Sequence, residues 1–109
     1  MTKQVNITND NFLEVVKEGT HLVELSGDGC SGCIALKPTV MQLLPKYPQI
    51  TYHYVVVTHE TSDICHKYGV DRIPALLLLH NGVLAALVKG YQPEEILDLW
   101  LEDQLSRLK

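Results

Sequence analysis

No stretch of the chain approaches the roughly 20 consecutive apolar residues needed to cross a bilayer. The opening MTKQVNITND also has no apolar core of signal-peptide length. A cytoplasmic protein with no membrane partner is therefore expected. Basic runs are missing as well: 13 acidic against 9 basic residues leave a formal charge of −4. Nothing in the sequence could neutralise a row of phosphates, which argues against a nucleic-acid partner. Repeats and linkers are absent, so the 109 residues are read as one domain, 1–109. Cysteine is scarce, with three residues in all. A domain of this size buries about two-thirds of its unfolded surface and folds without disulfide staples. The cysteines are therefore not needed as scaffolding. An iron–sulfur cluster lacks a fourth cysteine, and a zinc site would have to add Cys65 and His59 or His66 to Cys30 and Cys33, with no second CxxC to supply ligands. No metal and no bound cofactor are expected.

What is present is an ordinary globular composition, 46% hydrophobic and 20% charged. Lys3–Ile7 has the alternation of an edge strand, and Thr8-Asn9-Asp10 offers capping side chains to a first helix carrying Phe12, Leu13, Val15 and Val16. Gly19 is expected to end that helix, and His21–Leu25 reads as a strand. After the loop Ser26–Gly29, apolar residues from Ile34 to Leu44 recur at a helical period, with Pro38 inside the helix predicting a kink. Ile50–Val57 reads as a central strand and Ser62–Tyr68 as a short helix ended by Gly69. Ala75–Leu79 and Val83–Val88 flank Asn81-Gly82, a strong hairpin signal. A last helix begins at Pro93, with Ile96, Leu97, Trp100, Leu101 and Leu105 as its buried stripe. The order is β-α-β-α-β-α-β-β-α, an α/β domain whose mixed five-stranded sheet is flanked by four helices.

Cys30 and Cys33 stand three apart at a helix start, on one side of the first turn, close enough for a disulfide to close over Ser31-Gly32. Unpaired backbone N–H groups and the positive helix end favour a thiolate at Cys30, which makes it the attacking sulfur. Cys33 then resolves the mixed disulfide. The small residues Ser31 and Gly32 leave room for a protein substrate.

The order of elements, the CSGC at a helix start, Pro38 five residues later and the run KYGVDRIPALLLLHNG together resemble the thioredoxin family over nearly the whole chain. The resemblance implies a thioredoxin fold and a monomeric protein-disulfide reductase. Such a protein acts on protein disulfides and receives electrons from a thioredoxin-reductase-type donor. It assigns Cys30 as nucleophile, Cys33 as resolving thiol, Pro74 as a cis-proline facing the disulfide, Ile73 as a source of backbone hydrogen bonds to substrate, and Gly90 to the same groove.

The departures from the family are specific. Glu24 stands where the family usually has a buried aspartate that helps deprotonate the resolving cysteine; in an apolar core its pKa should rise, and it could relay protons through water to Cys33. The alternative for Glu24 is a solvent-facing strand charge. Ser26 and Gly29 replace two tryptophans, and Ser-Gly replaces Gly-Pro between the cysteines. This altered loop also motivates a reading from another class, a thioredoxin-fold adaptor that docks a dedicated partner and uses its thiols secondarily. Asp28 is expected to solvate the loop, and Cys65 and Trp100 to pack.

Overall fold

The computed structural model describes residues 6–108. Four α-helices, α1 (Phe12–Val15), α2 (Ser31–Leu43), α3 (Ser62–Lys67) and α4 (Glu94–Ser106), surround four strands, β1 (Thr20–Ser26), β2 (Ile50–Val56), β3 (Ala75–His80) and β4 (Val83–Lys89). The sheet order is β2-β1-β3-β4. β1 and β2 run parallel because α2 carries the chain back across the sheet between them, whereas β3 is antiparallel to both β1 and β4.

The expected five-stranded sheet is therefore found as four strands among the described residues. Lys3, Gln4 and Val5 lie outside those residues, while Asn6 and Ile7 belong to no strand. Ile7 instead packs in the core, 5% exposed. The Ile50 strand, expected to be central, stands at one end of the described sheet.

Strand alternation divides the core into two layers. Val23, Leu25, Ala75, Leu77 and Leu79 face Phe12, Val16 and Ile64 on the α1/α3 side. Leu22, Leu76 and Leu78 face Leu36, Val40, Leu43, Leu97 and Leu101 on the α2/α4 side. Because helices cover both faces, β1 and β3 are buried along nearly their whole length, and each fully buried leucine contributes roughly 2 kcal/mol.

Three local expectations change. α1 stops at Val15, and Gly19 at φ +87° instead turns the chain into β1. Of the proposed capping residues, Asn9 serves α3, its Oδ1 accepting from the Asp63 N–H at 3.0 Å. At the start of α1 it is Asn11 that accepts from the Thr8 N–H, at 2.8 Å. Ile96 is 54% exposed, because the buried stripe of α4 follows Leu97 and Leu101 with Trp100 and Leu105 at its margin. The helix expected around Pro38 is present as α2, with Pro38 on its exposed side.

Candidate functional site

The connection from β1 to α2 places the two cysteines. Gly29 adopts φ +69°, a left-handed turn that a side chain would oppose, and it delivers Cys30 in an extended conformation as the N-cap of α2. As N-cap, Cys30 uses sulfur where a serine would use oxygen, and the Cys33 N–H donates to Cys30 Sγ at 3.2 Å. The two sulfurs form a disulfide, with Cα atoms 5.2 Å apart. Cys30 is half-buried and Cys33 is 1% exposed, so one sulfur is reachable and the other is shielded.

Two further segments converge on this pair. The Ile73–Pro74 peptide bond is cis, Pro74 is buried, and the Ile73 carbonyl oxygen lies 3.9 Å from Cys30 Sγ. Gly90, at φ +86°, donates its N–H to the Pro74 carbonyl at 2.7 Å, which ties the end of β4 to the proline. Gly32 faces the proline ring closely enough that a Cβ there would sit 3.3 Å from Pro74 Cδ and 3.9 Å from Tyr91 Cβ. Ser31 is exposed on the same turn. Cys30, Cys33, Gly32, Ile73 and Pro74 thus lie together, with Gly90 bonded to the proline.

Glu24 is fully buried, which excludes the solvent-facing alternative. It points to the α2/α4 face of β1, alternating with Val23 and Leu25 on the other. The Tyr52 hydroxyl donates to Glu24 Oε1 at 2.7 Å, and Oε2 is buried without a hydrogen-bond partner. Burial pushes the Glu24 pKa above the usual carboxylate range, against the smaller opposing effects of the Tyr52 hydrogen bond and the Lys37 charge. The same environment pushes Tyr52 far up, through burial first and then its bond to Glu24. Beside them the hydroxyls of Ser26 and Tyr54 are 3.0 Å apart, and Lys37 Nζ lies 4.0 Å from the Tyr54 ring centroid. A polar network therefore surrounds Ser26, one of the two positions at which the resemblance places a tryptophan.

Other candidates are not at this site. Cys65 packs in the α1/α3 layer, across the sheet from α2, and burial pushes its thiol pKa up. His59, His66 and Asp28 are exposed. No group of three or more histidine, cysteine or acidic side chains that could hold a metal occurs among the described residues. Nor is any helix among them long and apolar enough to cross a membrane. Tyr52, Tyr54, Lys37 and Tyr91 were not legible as site residues. Only Lys37 carried a sequence signal, standing one helical turn beyond Cys33.

A family model described as Thioredoxin matches residues 3–103. A thioredoxin of Chlamydia pneumoniae is 30% identical over 91 residues, 84% of this chain and 88% of its own. A thioredoxin of Staphylococcus saprophyticus is 27% identical over 101 residues, 93% of this chain and 97% of its own. Among solved structures, one comes from work on the thiol resolving mechanism in yeast mitochondrial 1-Cys peroxiredoxin via glutathione/thioredoxin systems. A chain from it superposes with a TM-score of 0.79 at 20% identity, covering 93% of this chain and 95% of that one, and shows the shared fold.

Proposed function

Since the chain belongs to the thioredoxin family, we propose that it is a thiol–disulfide oxidoreductase that reduces disulfides of protein substrates through Cys30 and Cys33. The observation that carries this reading is the Cys30–Cys33 disulfide at the start of α2, one sulfur half-buried beside the cis-proline and the other enclosed. In the reduced protein the Cys33 N–H and the positive end of the helix favour the Cys30 thiolate. That thiolate attacks one sulfur of the substrate disulfide, and the other substrate sulfur leaves with the electron pair. Ile73 and Gly90 offer backbone groups that hold the substrate segment, and the Ser31-Gly32 turn gives it room. Cys33 then loses its proton to Glu24 and attacks Cys30, releasing the second substrate thiol and forming the internal disulfide.

The two electrons that restore the dithiol come from a thioredoxin-reductase-type donor, and the reaction needs no bound cofactor or metal. The protein acts as a monomer in a reducing cytoplasm, where a closely spaced cysteine pair is maintained for exchange chemistry.

Insulin reduction in the presence of dithiothreitol tests the assignment. Cys30→Ser should lose the acceleration over dithiothreitol alone, and Cys33→Ser should accumulate mixed disulfides through Cys30. Equal rates for wild type and Cys30→Ser would overturn the activity. Trapping by Cys30→Ser and not by Cys33→Ser would reverse the two roles.

A further inference from the structure

We propose that Tyr52 is a positioning residue for the resolving step: its hydroxyl holds one oxygen of Glu24 and leaves the other free to take the Cys33 proton. The proposal rests on the role given above to Glu24 and identifies what orients that carboxyl group. Tyr52 reaches Glu24 diagonally, since in the β1/β2 register Tyr52 stands opposite Leu22 and Tyr54 opposite Glu24. Its hydroxyl donates to Oε1 at 2.7 Å, whereas Oε2 is buried with no partner. A buried oxygen without a protein partner costs stability, so its retention needs a reason.

The course of α2 brings Cys33 toward this side of the sheet. α2 starts just after β1 ends and returns across it, with Leu36 and Val40 packed in the layer of Leu22. Lys37, one turn beyond Cys33, is near enough for its charge to act on the Glu24 carboxyl group, which puts the start of α2 on the Glu24 side of β1. Lys37 shares a helix face with Cys33 and lies over the ring of Tyr54, the register partner of Glu24. The titratable groups facing Glu24 are thus Tyr52 and Tyr54 from β2 and Cys33 and Lys37 from α2. β3 and α4 present Leu76, Leu78, Leu97 and Leu101 on this side.

In the resolving step the Cys33 proton passes to Oε2, directly or through one water, and a bond forms between the Cys33 and Cys30 sulfurs. The bond between Cys30 and the substrate sulfur breaks, and that sulfur leaves with its electron pair. The Tyr52 hydrogen bond favours the ionised carboxylate that must accept the proton, in opposition to burial.

Mixing reduced protein with a chromogenic aryl disulfide gives two thiolate releases, the first from attack by Cys30 and the second from resolution by Cys33. Tyr52→Phe keeps the ring and removes only the hydroxyl. The second release should slow at neutral pH relative to the first, and its midpoint should rise by about one pH unit, the shift expected for losing a hydrogen bond to a charged group. Glu24→Gln should remove that pH dependence, and adding Tyr52→Phe to Glu24→Gln should change nothing further. An unmoved midpoint in Tyr52→Phe, or an equal slowing in the Glu24→Gln background, would overturn the inference and leave the Glu24 assignment standing. A Glu24→Gln protein whose second release keeps the wild-type pH profile would instead remove the assignment to Glu24 itself.

Discussion

Pro74 crowds position 32 in this chain. Glycine in the first turn of a helix is disfavoured by about 1 kcal/mol relative to alanine, so backbone propensity alone would favour a side chain there. Yet a Cβ at position 32 would sit 3.3 Å from the Pro74 ring, which is buried. A branched side chain adds atoms to an occupied space. Gly32→Val should therefore destabilise the oxidised protein by roughly 1–3 kcal/mol in urea titrations. Ser31→Val on the exposed side of the turn should stay within about 0.5 kcal/mol of wild type. Equal losses for the two variants would remove the proline contact as the cause. The same contrast explains what could be read at this scale. Cys30, Cys33 and Pro74 stand out because spacing and residue type carry their chemistry. Tyr52 does not, because its relation to Glu24 exists only after two strands pair in one register.

The hairpin between β3 and β4 shows how an element can be legible while its wider role is not. Asn81 at φ +51° and Gly82 at φ +83° both take the left-handed conformation that a two-residue turn of this hand requires, as the dipeptide itself announces. Only the folded chain shows that the turn is also fastened to the entry of β1. The Asn81 N–H donates to the Gly19 carbonyl at 2.9 Å, and its side-chain oxygen accepts from the Gly19 N–H at 2.8 Å. β3 is thereby locked against β1 at the end away from the disulfide. Asn81→Ala loses both the tolerance for positive φ and the side-chain acceptor, and should cost about 1–2 kcal/mol by urea denaturation. Asn81→Asp keeps both features and should lose less. Equal losses would mean that the clamp contributes nothing. Elements read less well where tertiary contacts overrode local signals. Asn9, from the capping run before α1, instead accepts from the Asp63 N–H in the first turn of α3.

Across the whole molecule, His53 on one side of the sheet and Glu24 on the other respond to pH in opposite senses. On the α1/α3 side His53 stacks on His21, with ring centroids 5.1 Å apart and a 2.8 Å contact between His53 Nε2 and His21 Nδ1. His21 Nε2 lies 2.7 Å from the Glu18 carbonyl, which can only accept, so His21 carries its proton there and His53 donates to it. Burial, then the neighbouring His21, push the His53 pKa from 6.5 down to about 4. The unfolded chain therefore binds a proton in this range that the folded chain refuses, and the stability present above pH 6.5 is lost as the pH falls toward 4. The full loss would be on the order of 3 kcal/mol at about 1.4 kcal/mol per unit, and less to the extent that water reaches the half-buried ring. On the α2/α4 side, Glu24 keeps its proton to higher pH in the folded state than in the unfolded one, so its stabilising effect is present at acid pH and lost as the pH rises through its raised pKa. Urea titrations at a series of pH values separate the two. His53→Gln should flatten the decline between pH 6.5 and 4. Glu24→Gln should gain on wild type as the pH rises above the carboxyl range, and should leave the acid limb set by His53 in place. Parallel curves for wild type and His53→Gln over that window would show that the buried histidine pair does not govern acid stability.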